Sequence, residues 1–168
     1  MKIKFLYYIF LSFFFVGCAQ KTLNLSSLET KLDEAKTSYN ESYSDAASLI
    51  GSVAKEVPKA SLEDDIFWPS FKAVDNTDSV KQSRDAYQSI IDAEEEFDQL
   101  YINNKNIPES FKTNLYELKA IIENNALFIG MMAKGEGSWR AAKEWKSQSE
   151  KTENIFKSLR LEIERLKK

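Results

Sequence analysis

Apolar residues recur at steps of three and four through four long stretches of this chain, and that periodicity constrains the fold more than any other feature. The first stretch carries Leu28, Leu32, Ala35, Tyr39, Tyr43, Ala46, Ile50 and Val53. The second carries Ser83, Ala86, Ile90, Ala93, Phe97 and Leu100, widened by Tyr87, Ile91 and Tyr101. Phe111, Leu115, Leu118, Ile122, Ile129 and Met132 mark the third, with Asn125 on the same line. The fourth runs through Trp139, Ala142, Trp145, Ser149, Thr152, Phe156, Leu159, Ile163 and Leu166. Such spacing places each set on one face of an α-helix. Only 5 Gly and 3 Pro occur in 168 residues, so little interrupts these stretches. The expected fold is all-α: a four-helix bundle whose helices of ~25–30 residues are each about 40 Å long.

Local signals set the expected boundaries. Ser26-x-x-Glu29 has the spacing of a capping box, and the first helix is read from Ser27 to Glu56. Val57 precedes Pro58, which disfavours helical geometry there. Asp78 is the expected N-cap of the second helix, which ends near Ile102 before the turn Asn103-Asn104-Lys105-Asn106. Pro108 suits the first turn of the third helix, where a missing N–H costs nothing. Gly135-Glu136-Gly137 ends that helix and Ser138 caps the fourth, which runs to the C-terminus and finishes with Arg165, Lys167 and Lys168 against its negative pole. Short turns make the last three helices antiparallel neighbours. The first connection, residues 57–78, is too long to be a bare loop in a compact domain, and Ser61 is positioned to cap a short helix within it. Its length leaves the direction of the first helix open. Residues 27–168 therefore read as one bundle domain.

Absences narrow the chemistry. The chain has no histidine, which removes imidazole bases, His-containing triads and His ligands to zinc, copper or haem. One cysteine allows no internal disulfide and no Cys-rich metal site. The formal charge is −3, without the basic excess that nucleic-acid binding requires. No cofactor, no metal and no nucleic acid is expected as a partner, and no enzymatic activity.

The N-terminus carries a different signal. Lys2 and Lys4 precede the apolar run FLYYIFLSFFFV at residues 5–16, and the chain turns polar at Gln20-Lys21. A charged start, a short apolar run and a small residue at the cut site form the layout of a signal peptide. A membrane-spanning helix needs ~20 apolar residues, more than this run offers. Phe15-Val16-Gly17-Cys18 resembles the lipobox of bacterial lipoproteins, with Phe15 where that family usually has leucine. The resemblance implies that residues 1–17 are removed between Gly17 and Cys18, and that Cys18 takes a thioether-linked diacylglyceryl group, often with N-acylation. Residues 18–26 would then form a lipidated tether. Ala19 in place of aspartate after the cysteine implies an outer-membrane destination where the host has one.

Several constellations deserve a reading in both directions. Glu94-Glu95-Glu96 with Asp98 is the densest acidic cluster, but consecutive residues spread around a helix turn, so a solvated face is expected. Asp75, Thr77 and Ser79 have calcium-loop spacing, yet Val80 and Ala86 stand where the glycine and the bidentate glutamate belong. Asn125 either fixes the register of the bundle from inside or sits at its rim. Phe67, Trp68 and Phe71 either cap the core or form an anchor for a protein partner. Trp139 and Trp145 lie six residues apart and point about 120° away from one another, so both cannot occupy the middle of one narrow stripe. Phe128, Met131, Met132 and Trp145 could line a pocket between helices.

Two functions follow as expectations. The first is a membrane-anchored, non-catalytic helical lipoprotein that binds a protein of the bacterial cell envelope or serves it structurally. The alternative is a carrier of an apolar small molecule held between the helices.

Overall fold

A computed structural model of the chain describes residues 25–56, 78–104 and 106–168. Within these, α1 spans Leu25–Glu56, α2 Asp78–Asn103, α3 Glu109–Ala133, α4 Trp139–Ser149 and α5 Thr152–Leu166. The last two are halves of the fourth periodic stretch. Together they make an all-α four-helix bundle, and among the described residues there is no strand. The short helix expected within the first connection lies outside the described residues.

Side-chain contacts give the direction of each helix. Lys31 on α1 lies 3.8 Å from Asp92 on α2, Lys36 pairs with Glu153 on α5 at 2.9 Å, and Glu29 pairs with Lys167 just past α5. Ser110 at the start of α3 bonds Glu162 near the end of α5. The helices thus run up, down, up, down, and α1, whose direction the sequence left open, is antiparallel to α2 and to α4–α5. The interface between α1 and α2 is the most extensive in the bundle, and α1 meets α5 much less closely.

The apolar stripes fill the interior as two stacked clusters. The lower contains Leu28, Leu32, Ile90, Phe97, Phe111, Leu118, Ile122, Leu159 and Ile163 among others, with Phe97 and Phe111 stacked at 5.1 Å. The upper contains Ala46, Phe128, Ile129, Met132, Trp139, Ala142 and Trp145. Both tryptophans belong to this upper cluster despite their different bearings. Trp139 opens α4 at the end of the bundle, where side chains such as Val53 and Val80 add cover and a wider arc of helix is buried.

The expected helix ends are met in part. Ser138 caps α4, its hydroxyl oxygen accepting the Ala141 N–H at 3.2 Å. Gly135 takes φ 74°, the left-handed conformation a side chain resists. Gly135 N–H then reaches the Met132 carbonyl and Glu136 N–H the Met131 carbonyl, both at 2.9 Å, closing a Schellman motif at the end of α3. Pro108 stands just before α3 in extended geometry, φ −63° and ψ 143°. The capping box at Ser26 does not form. Ser26 lies inside α1 with its carbonyl accepting from Thr30, and Glu29 turns outward to Lys167.

The fourth stretch also departs from one continuous helix. At Glu150–Lys151 the backbone tightens: Lys151 N–H reaches the Gln148 carbonyl three residues back, while both residues keep right-handed helical angles. Ser149 returns its hydroxyl to the Trp145 carbonyl at 2.8 Å, a back-bond that bends helices.

Core truncations should rank by burial. Phe97→Ala and Leu118→Ala, each at fully buried positions, should cost about 2–5 kcal/mol in denaturant unfolding followed by circular dichroism. Leu161→Ala, at a site 48% exposed, should stay within about 0.5 kcal/mol of wild type.

Candidate functional site

A layer of polar side chains lies between the two apolar clusters, and it is the most chemically differentiated place among the described residues. Ser42 and Asn125 are the polar members of the α1 and α3 stripes, 0% and 1% exposed. Trp145 on α4 donates its indole N–H to Asn125 Oδ1 at 2.8 Å. Asn125 Nδ2 donates to Ser42 Oγ at 3.0 Å, and Ser42 Oγ donates to the Tyr39 carbonyl at 2.9 Å. One relay therefore joins α4, α3 and α1. A second contact lies beside it: Thr152, the first residue of α5, donates to the Tyr39 hydroxyl at 3.2 Å. The rings are packed on one another, Trp145 against Tyr43 at 4.5 Å and against Phe128 at 5.0 Å.

This arrangement answers the question left by Asn125. It is buried, and both ends of its amide are used. Burying an amide without partners is costly, so the relay favours the one alignment of α1, α3 and α4 in which all three groups meet. Ser42 was not singled out in the sequence, where a serine on an apolar stripe looks like any tolerated small residue. Its position three residues after Tyr39 is the only local hint.

The chemistry available here is restrained. Burial pushes the Tyr39 hydroxyl above its ordinary value of 10.0, against smaller opposing effects of hydrogen bonds with Ser149 and Thr152. It stays protonated at neutral pH. Ser42 gives its proton to a backbone carbonyl and has no adjacent base to activate it. The layer sets geometry and offers no nucleophile.

The other candidate residues divide as follows. Gly17, Cys18, Phe67, Trp68 and Phe71 lie outside the described residues. Phe128, Met132 and Trp145 come together in the upper cluster, but Met131 does not join them. It is 40% exposed, and with Leu127, one turn earlier and 60% exposed, it forms an apolar patch on the outer face of α3. Glu94 pairs with Lys119 on α3, while Glu95 and Asp98 are exposed. Among the described residues no group of three or more His, Cys, Asp or Glu converges to hold a metal. A groove of about 220 Å³ runs between α1 and α5 over Leu32, Phe156 and Ile163. Its rim is crossed by Lys36–Glu153 and by Arg160–Asp33 at 3.7 Å.

Compared with known proteins, the chain matches no family model, no curated protein and no solved structure.

The relay and Tyr39 make separate predictions. Asn125→Ala strands the Trp145 indole N–H and should cost about 1–3 kcal/mol, with a change in tryptophan emission. For pH, a group whose folded pKa is raised contributes stability that is fully present below its unfolded value and is lost as pH climbs through the folded one. Tyr39 loses its contribution above pH 10.0, as does Tyr43, raised first by burial and then by Tyr39 and Glu150. Lys119, raised chiefly by its bond to Glu94, adds a loss above 10.5. Unfolding measured at stepwise alkaline pH should show this decline, and Tyr39→Phe should make it shallower. An identical slope in the variant would refute the assignment.

Proposed function

We propose that this protein is a lipid-anchored, non-catalytic helical module of a bacterial cell envelope, held by Cys18 and presenting the outer face of its bundle to a protein partner. The reading of the N-terminus comes from the lipobox-like Phe15-Val16-Gly17-Cys18 and its preceding apolar run. The outer membrane is the favoured destination, on the strength of Ala19.

For the folded body, one observation carries the reading: Leu127 and Met131 leave apolar surface outside the bundle, 60% and 40% exposed, while Ser42, Asn125 and the Trp145 indole bond one another inside it. Met131 therefore fits a contact surface better than a pocket wall. Trp145 is packed against Tyr43 and Phe128, so Phe128 and Trp145, both named for a ligand pocket, are engaged with one another. Leu127 and Met131 lie toward the upper end of α3, away from Leu25, where the tether enters. A partner would meet them on the side of the domain far from the lipid. Phe67, Trp68 and Phe71 are a second candidate contact.

Two measurements test the proposal. Intact mass of detergent-extracted protein should show cleavage before Cys18 and added acyl mass, and Cys18→Ser should carry no acyl mass and should not be both cleaved at that bond and retained on washed membranes. A photo-crosslinker placed at Met131 in cells should trap one defined envelope protein, and Leu127→Ser should reduce that product several-fold without changing the fold. Trp68→Ala should weaken the same product if the aromatic trio takes part. Unlipidated protein, or crosslinking at Met131 no different from that at exposed Lys143, would count against the reading.

A further inference from the structure

We infer that the lower end of the bundle is a lipid-docking surface, built from Tyr101, Ile102, Lys112 and Tyr116, that rests on the bilayer holding the anchor. The inference builds on the lipid-anchored reading of Cys18.

Position comes first. Six residues lie between Cys18 and Leu25, so an anchored chain enters α1 within about 25 Å of the lipid surface, while the bundle is about 40 Å long. The end of the bundle at Leu25 is therefore the one held near the headgroups. That end also carries the last turn of α2, the α2–α3 turn and the last turn of α5, as the Ser110–Glu162 bond and the Glu29–Lys167 pair require.

Composition comes second. Ile102 is 73% exposed, the most exposed large apolar side chain of the described residues, and it projects at this end. Beside it, Lys112 Nζ lies 5.2 Å from the centre of the Tyr101 ring and 5.8 Å from that of Tyr116, itself 38% exposed. Tyr101 directs its hydroxyl to Glu109 at 3.1 Å. Aliphatic tips, tyrosine rings with a polar edge and a lysine with a long apolar stem are the side chains that settle at a membrane–water boundary.

Charge decides the mode. Among the described residues this end carries Lys112, Arg165, Lys167 and Lys168 together with Asp98, Glu109, Glu162 and Glu164, and Lys167 is already engaged by Glu29. Neither sign prevails, so the contact is interfacial rather than electrostatic and should not depend on anionic lipid. Tethering holds the patch at high effective concentration against the surface, so a contact too weak to bind from solution suffices.

The test uses the full-length lipidated protein in vesicles, with one cysteine added and labelled with an environment-sensitive fluorophore. Asn103→Cys reports the lower end and Glu136→Cys the upper. A lipid-borne quencher should dim the probe at 103 several-fold more than that at 136, in phosphatidylcholine alone and with added phosphatidylglycerol, at low and at high salt. Ile102→Asp in the Asn103→Cys background should abolish the difference, and its exposure means that the fold should be kept. Equal quenching at both ends overturns the docking surface, and loss of the signal in salt or in phosphatidylcholine overturns its interfacial character. The parent protein should take up no label, because its only thiol is consumed as a thioether. Labelling of the parent would instead overturn the anchored reading, and the docking with it.

Discussion

The bond from the Trp145 indole to Asn125, and from Asn125 to Ser42, is the constraint on which the arrangement of this bundle depends. Four amphipathic helices can bury their stripes in many relative positions at little difference in energy, because apolar contact is not directional. A buried amide is directional. It is satisfied only where α1, α3 and α4 bring those three side chains to one level. The layer therefore converts a generic hydrophobic core into a specified one, in the way a single buried asparagine specifies register in coiled coils.

The same layer accounts for the break in the fourth stretch. Ser149 bonds back to Trp145, the backbone tightens over Glu150–Lys151, and Thr152 begins α5 in reach of the Tyr39 hydroxyl. The lower and upper apolar clusters meet at this level, with Tyr43 touching both. Core polarity, helix bending and the division of the interior are thus one structural event.

The stripes could be read from the chain because burial on a helix leaves a 3.6-residue period, and nearly every predicted core position of α2 and α3 is buried. The turn at Gly135 and the cap at Ser138 were legible because those residue types act on backbone groups close by. Partnerships between helices were not. Nothing local to Ser42 announces that Asn125, 83 positions away, will donate to it. Ser26 and Glu29 show the opposite failure: a locally adequate capping pattern is passed over when the helix starts earlier and Glu29 finds Lys167 instead. Met131 adjoins Met132 in sequence but a helix turns about 100° between them, which separates exterior from core.

The unequal seams around the bundle have a mechanical meaning. Helix α1 shares its broadest interface with α2, whereas toward α5 it is joined by the Thr152–Tyr39 bond, a narrower apolar contact and exposed ion pairs over a groove, each such pair worth under about 1 kcal/mol. Tension arriving through the first residues of α1 would meet the Glu29–Lys167 pair first and then pass chiefly into α2, where the contact is broadest. The bundle thus has one closely packed pair and a more sparsely joined flank, and the flank is the seam at which a pull on α1 meets the least contact.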